Sequence, residues 1–147
     1  MVTDIEFGAW KKHMRAGNDC FNKYQTLTAI SHYNEAAYRA QRLINTSRNK
    51  SGAIAALIAA YHNLAEVYRR AEEYELCEET LRAPMQTIDQ LLIDYTEDSS
   101  TYCAALHGKN MVYCALLQFQ KERSTPYKVA SNRVQPFQVI QHNQKLN

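Results

Sequence analysis

The chain is poor in the two residues that break helices, with only four glycines and three prolines among its 147 residues. This scarcity favours an all-α fold. The longest nearly uncharged apolar run, residues 53–61, is too short to span a bilayer, so we expect no membrane partner. The start of the chain lacks the basic and apolar regions of a signal peptide, and we expect a cytoplasmic protein. A formal net charge of +2 is too small to indicate a nucleic-acid partner.

Cysteine is scarce too, and no two cysteines form a C-x-x-C pair. The four cysteines fall within helical patterns, which predicts buried, free thiols in a reducing compartment. Cys103 and His107 stand four residues apart and could share a metal, but Cys114 lies about 10 Å farther along a helix axis. We therefore expect a stripe that faces the core, no metal site and no cofactor. The four cysteines are Cys20, Cys77, Cys103 and Cys114.

Apolar residues at i, i+3, i+4 spacing predict about five helices. Thr3 and Glu6 form a capping box at the first, and the clearest loop is 45–52. Pro84 falls inside the fourth helix, where we expect a kink or a short interruption. The predicted helices start near Thr3, after 24–26, near Ala53, near Tyr74 and after 98–101, and the last ends near Lys121. Their predicted apolar faces include Ile5, Met14, Leu27, Tyr33, Leu57, Leu81, Leu106, Tyr113 and Phe119.

One segment, residues 61–77, indicates how the helices are arranged. It places aromatic, leucine, small and aromatic residues at Tyr61, Leu64, Ala65 and Tyr68, and a break at 71–73 precedes Tyr74 and Cys77. The same offsets recur more weakly around Gly17 and partly around Gly108. This pattern is typical of two antiparallel helices at close range, and it resembles a tetratricopeptide repeat. The spacing from Gly17 to Ala65 is 48 residues, against about 34 in that family.

The resemblance implies a right-handed array of antiparallel helical hairpins over residues 1–123, followed by a polar C-terminal tail at 124–147. A generic five-helix bundle is the alternative. Repeats of this family bind peptides on the concave surface made by the first helix of each hairpin. Carried over to this chain, the surface consists of Met14, Asn18, Phe21, His62, Asn63, Glu66, Arg70, Tyr102 and Lys109.

Chaperone-binding members of the family hold a C-terminal carboxylate with asparagines and cations. Asn18 and Asn63 fall on the two asparagine positions, but Met14, Tyr102 and Leu106 stand where the cations belong. A carboxylate is poorly held without cations, so this binding mode is not expected.

No motif for catalysis is present, and the pair His62 and Glu66 has no nucleophile near it in the sequence. We therefore expect a non-catalytic, cytoplasmic adaptor that binds a protein or peptide. A second hypothesis is a self-associating homo-oligomer, because ten acidic residues between Glu66 and Asp98 lie between two basic flanks. A third is a small-ligand sensor with a pocket lined by His62, Tyr68 and Tyr102.

Overall fold

The protein is all-α, as the sequence predicts. The computed structural model describes residues 2–124, and the predicted tail from residue 125 onward lies outside the described residues. No strand occurs in the described part of the chain. Its helices are α1 (Val2–Asn22), α2 (Thr26–Thr46), α3 (Lys50–Arg70), α4 (Tyr74–Arg82), α5 (Met85–Asp94) and α6 (Ser100–Ser124).

The interruption expected at Pro84 divides the predicted fourth helix into α4 and α5. Because proline has no backbone N–H, it cannot donate the bond that would continue α4. The amide of Ala83 instead donates to the carbonyl of Thr80, which tightens the last turn of α4. The carbonyl of Pro84 accepts from the amide of Ile88 at 3.1 Å and so begins α5.

The helix boundaries repeat with a period of 48 residues. Helix α1 spans Val2–Asn22 and α3 spans Lys50–Arg70, while α2 begins at Thr26 and α4 begins at Tyr74. We call α1 with α2 the first hairpin, and α3 with α4 and α5 the second. The second arm of a hairpin, the part after its turn, ends at Thr46 in the first hairpin and at Asp94 in the second. This period exceeds the usual tetratricopeptide length of about 34, and a tetratricopeptide-like array stays a prediction.

The two hairpin turns repeat in the same way. Tyr24 and Glu72, 48 residues apart, both have a positive φ, 60° and 62°. The amide after each donates back to the first helix: Gln25 to the carbonyl of Cys20 at 2.8 Å, and Glu73 to that of Tyr68 at 2.9 Å. A non-glycine residue in the left-handed region is uncommon. Its recurrence at one offset shows that both connections have the same geometry.

Two glycines allow helices to approach closely. A Cβ built on Gly17 of α1 would lie 2.6 Å from the ring of Tyr33 in α2. A Cβ on Gly108 of α6 would lie 2.8 Å from Ile54 of α3. The repeat pattern singled out both glycines as equivalent, but Gly17 meets its own second arm α2, whereas Gly108 meets α3, the first helix of the preceding hairpin. The core also contains Trp10, whose indole N–H donates to the carbonyl of Ala56 at 3.1 Å and joins α1 to α3.

Several side chains predicted on apolar faces are exposed. Leu27 is 83% exposed and Ile5 is 67% exposed, near the ends of α2 and α1. Leu106 and Tyr113 of α6 are exposed as well. Periodicity identifies an apolar face but does not tell whether another element covers it. Helix α6 has apolar residues on two sides, and the described helices cover only one of them.

The prediction of four buried thiols is wrong for two cysteines. Cys103 and Cys114 are exposed, whereas Cys77 is buried and Cys20 is half-buried. The stripe of Cys103, His107 and Cys114 therefore faces outward rather than into the core. The four thiols are free.

Candidate functional site

A cavity of about 120 Å³ lies between α3, α4 and α6. Its walls are largely apolar, and α3 contributes most of its polar side chains. The lining residues are His62, Ala65, Glu66 and Arg69 of α3, Cys77 and Leu81 of α4, and Ala115, Gln118, Phe119 and Glu122 of α6.

The 48-residue period explains why the cavity exists. Leu81 corresponds to Tyr33, Ala65 to Gly17, and Glu66 to Asn18. In the first hairpin the Tyr33 ring packs against Gly17, and its hydroxyl donates to Asn18 Oδ1 at 2.6 Å. The second hairpin has the shorter Leu81 at this position, and the space that a tyrosine ring would occupy is left open.

An ion-pair network joins α3 to α6 along one wall of the cavity. Arg69 donates from Nε to Glu66 Oε2 at 2.9 Å and from Nη1 to Glu122 Oε2 at 2.6 Å. The Arg69 side chain is 14% exposed and that of Glu66 is 7% exposed, so solvent screens the pairs weakly. One guanidinium thus bridges two carboxylates beside the cavity.

His62 presents an unsatisfied nitrogen. Its Nε2 is buried and has no hydrogen-bond partner among the described residues. Burial penalises the charged imidazolium and lowers the pKa of His62 to about 4, so the ring is neutral near pH 7. A neutral imidazole nitrogen donates or accepts one hydrogen bond, depending on the tautomer. Leaving such a group unpaired costs roughly 1–3 kcal/mol.

The cavity offers no activated nucleophile. Cys77 is its one thiol, and burial raises the pKa of this thiol to about 12. The reactive thiolate is therefore scarce near pH 7. Within residues 3–124, no cluster of three or more His, Cys, Asp or Glu side chains has the geometry to hold a metal ion.

The other residues predicted to bind a partner are divided between two clusters and the surface of α6. In the first cluster, Asn63 Nδ2 donates to Asn18 Oδ1 at 3.0 Å, and Tyr33 bonds to the same oxygen. Met14 and Asn63 have no exposed surface. Their assignment to a partner surface needs correction, because α1, α2 and α3 pack around them and leave no room for direct contact in this conformation.

The second cluster contains Phe21 and Arg70. The Arg70 guanidinium lies 3.6 Å from the centre of the Phe21 ring and 4.7 Å from that of Tyr24. Its Nη1 donates to the carbonyl of Phe21 at 2.8 Å. Arg70 thus fastens α3 to the turn of the first hairpin.

On α6, Lys109 is paired with Asp89 of α5 at 2.9 Å, and Tyr102 is half-buried near the start of the helix. Neither lines the cavity. Only His62 and Glu66 of the predicted surface do so. The hypothesised pocket of His62, Tyr68 and Tyr102 is not the one that forms, since the cavity includes His62 without either tyrosine.

Sequence reasoning missed the residues that complete the cavity, among them Arg69, Leu81, Phe119 and Glu122. A usable signal was present, because the 48-residue offset was visible between Gly17 and Ala65. Applied to the second arm, the same offset aligns Tyr33 with Leu81 and shows a loss of volume at an interior position.

The described helices include none with both the length and the apolarity that crossing a bilayer requires.

The family described as "Protein of unknown function (DUF2753)" matches residues 8–145, and the chain belongs to this family. No curated protein and no solved structure matches the chain.

Proposed function

We propose that this chain is a non-catalytic, cytoplasmic binding module that receives one side chain of a protein or peptide partner in the α3–α4–α6 cavity. The observation that carries the proposal is a largely apolar cavity of about 120 Å³ between α3, α4 and α6 that leaves room for an added side chain. An apolar side chain of matching size would fill this cavity.

The size of the cavity favours a side chain over a cofactor. Pockets for drug-sized molecules and cofactors typically measure about 300–1,000 Å³. Cavities of roughly 150 Å³ hold a molecule the size of benzene. At about 120 Å³, this cavity matches an aromatic or branched aliphatic side chain.

The charges near the cavity favour a basic partner segment. A second depression adjoins the cavity at Phe119 and is lined by Glu75, Glu78 and Glu79 of α4 together with Arg123 of α6. Three glutamates against one arginine give this depression an excess of carboxylates, which attracts lysines and arginines that flank the anchor. We therefore propose a partner segment that has one buried aromatic or aliphatic residue and basic neighbours.

The test is a selection from a random peptide library on the full chain, followed by binding measurements with two α6 variants. Ala115→Leu adds a branched side chain to the cavity wall, and Gln120→Leu adds the same side chain at an exposed position outside the cavity. We expect Ala115→Leu to weaken binding of the selected peptides at least tenfold and Gln120→Leu to change it less than twofold.

Two results would contradict the proposal. One is a set of peptides that bind equally well to both leucine variants, which would place the binding surface elsewhere. The other is a selection that enriches no peptide with an aromatic or aliphatic anchor beside basic residues.

A further inference from the structure

The first hairpin contains a buried tyrosine at the position where the second hairpin has its cavity. Tyr33 of α2 is fully buried, and its ring lies against the backbone of Gly17 in α1, where an added Cβ would come within 2.6 Å of it. The Tyr33 hydroxyl donates to Asn18 Oδ1 at 2.6 Å. The first hairpin therefore shows how a phenol group fits between a first helix and its second arm.

The second hairpin keeps the surroundings of this phenol and lacks the phenol itself. The three residues that make the arrangement in the first hairpin have counterparts 48 residues later, and all three counterparts line the cavity. In the order of the chain, the counterparts of Gly17, Asn18 and Tyr33 are Ala65, Glu66 and Leu81. Leucine has neither an aromatic ring nor a hydroxyl, so the volume of the ring and its hydrogen bond are both vacant.

Glu66 supplies a hydrogen-bond acceptor at the position where Asn18 supplies one. Its side chain is 7% exposed, and its Oε2 accepts from Arg69 Nε at 2.9 Å. An ionised carboxylate has about four lone-pair sites on its two oxygens, so Glu66 can accept a hydroxyl while it stays paired with Arg69. A hydrogen bond from a hydroxyl to a carboxylate is stronger than one between neutral groups. The cavity therefore favours an aromatic ring with a hydroxyl over a plain ring.

We propose that the side chain received by the cavity is a tyrosine of the partner, whose ring fills the apolar space and whose hydroxyl donates to Glu66. This inference rests on the proposed function, which makes the cavity the binding site. The volume of about 120 Å³ suits a single aromatic ring, since cavities of roughly 150 Å³ hold benzene. The hydroxyl donor also complements the carboxylate in the cavity wall, as the basic neighbours complement the carboxylates of the adjoining depression.

Ala65 is compatible with a ring that comes from a partner. A tyrosine at position 81 would be attached to α4 and would meet the Cβ of Ala65, just as the ring of Tyr33 would meet a Cβ at Gly17. A partner's ring has no attachment to α4, so it can lie farther from Ala65 and still reach Glu66. The alanine therefore disfavours a tyrosine of the second arm without closing the cavity to one from outside.

Two small molecules test the inference on the full chain before any partner is known. The molecule p-cresol corresponds to the side chain of tyrosine and toluene to that of phenylalanine, so the two differ only in the hydroxyl. In titrations followed by NMR, we expect p-cresol to bind at least fivefold more tightly than toluene. Ala115→Leu, in the cavity wall, should weaken both at least tenfold, and exposed Gln120→Leu should change neither by more than twofold.

Two substitutions of Glu66 test the hydrogen bond itself. Glu66→Met removes the acceptor, whereas Glu66→Gln keeps a carbonyl oxygen of the kind that Asn18 offers to Tyr33. We expect the preference for p-cresol over toluene to fall below twofold in Glu66→Met and to stay at least threefold in Glu66→Gln. Both substitutions remove the ion pair with Arg69, and each preference is a ratio within one variant, so a loss of stability alone does not change it. Circular dichroism checks that both variants are folded.

The outcomes separate this inference from the proposed function. Equal binding of toluene and p-cresol, or a preference that survives in Glu66→Met, would overturn the assignment of tyrosine. Selected peptides that are sensitive to Ala115→Leu but carry leucine or phenylalanine as their anchor would overturn it too, and the binding function of the cavity would stand. Peptides with a tyrosine anchor, weakened at least fivefold when that tyrosine is replaced by phenylalanine, would support it. Peptides that bind equally well to Ala115→Leu and Gln120→Leu would overturn both proposals.

Discussion

Gly17 and Gly8 lie in the same helix and provide a matched pair for testing how tightly α1 packs on α2. A Cβ at Gly17 would lie 2.6 Å and 2.8 Å from two carbons of the Tyr33 ring. A Cβ at Gly8 would meet no atom within 4 Å. Gly17→Ala and Gly8→Ala therefore make the same chemical change with and without a steric conflict.

The two substitutions should change the free energy of unfolding in opposite directions. In an exposed helix interior, glycine to alanine stabilises by about 1 kcal/mol, and Gly8→Ala should gain up to that amount. Gly17→Ala gains the same propensity but must displace Tyr33, which is fully buried and bonded to Asn18 at 2.6 Å. Overpacking costs roughly 1–3 kcal/mol and a strained hydrogen bond about 1 kcal/mol. We expect Gly17→Ala to destabilise by about 2 kcal/mol net.

The measurement is urea unfolding of both variants, followed by circular dichroism. We expect the midpoint to rise for Gly8→Ala and to fall for Gly17→Ala at an unchanged slope. A double-mutant cycle adds a control, because Gly17→Ala should no longer destabilise in a Tyr33→Leu background, where the ring is absent. If Gly17→Ala stabilises the chain as much as Gly8→Ala does, the close approach of α1 and α2 inferred here is refuted.

Two further predictions concern the charges around the cavity. The pKa of His62 is about 4 in the folded chain and near 6.5 in the unfolded chain. Between these values the unfolded state binds more protons, so the free energy of unfolding falls as the pH drops from 6.5 to 4. In urea unfolding at several pH values, His62→Gln should remove a loss of about 3 kcal/mol over this window, and an unchanged pH dependence would contradict the buried, neutral ring. Arg69→Met removes the guanidinium that bridges two poorly exposed carboxylates and should destabilise by about 3 kcal/mol. Arg82→Met breaks an exposed pair with Glu78 and should cost less than about 1 kcal/mol, and equal losses in the two variants would contradict the structure.

Local sequence signals determined much of the fold. Helical spacing indicated the helices, Pro84 indicated the break between α4 and α5, and the offset between Gly17 and Ala65 contained the period of 48 residues. The helices and the break depend on hydrogen bonding and side-chain volume within one or two turns of a helix. The period is a comparison of the chain with itself, so all three features can be read from one sequence.

The candidate site was less predictable because it depends on which faces meet. His62 and Glu66 were selected as part of a partner surface, and they do line the cavity. Asn63, the neighbour of His62 in sequence, points instead toward Asn18 in the first hairpin. Residues one position apart on a helix differ by about 100° in direction, so an error of one residue exchanges a cavity wall for a buried hydrogen bond.

The residues at positions 65 and 81 both favour the cavity in the second hairpin, so the cavity does not depend on one small side chain alone. A tyrosine at 81 would need a glycine beneath it, since the first hairpin allows no Cβ at Gly17. The second hairpin has the larger Ala65 and the smaller Leu81 together. Alanine keeps the helices from closing over the shorter leucine, and leucine leaves the volume open. Both differences act in the same direction, and together they leave an apolar space beside His62, where we propose that a partner's side chain binds.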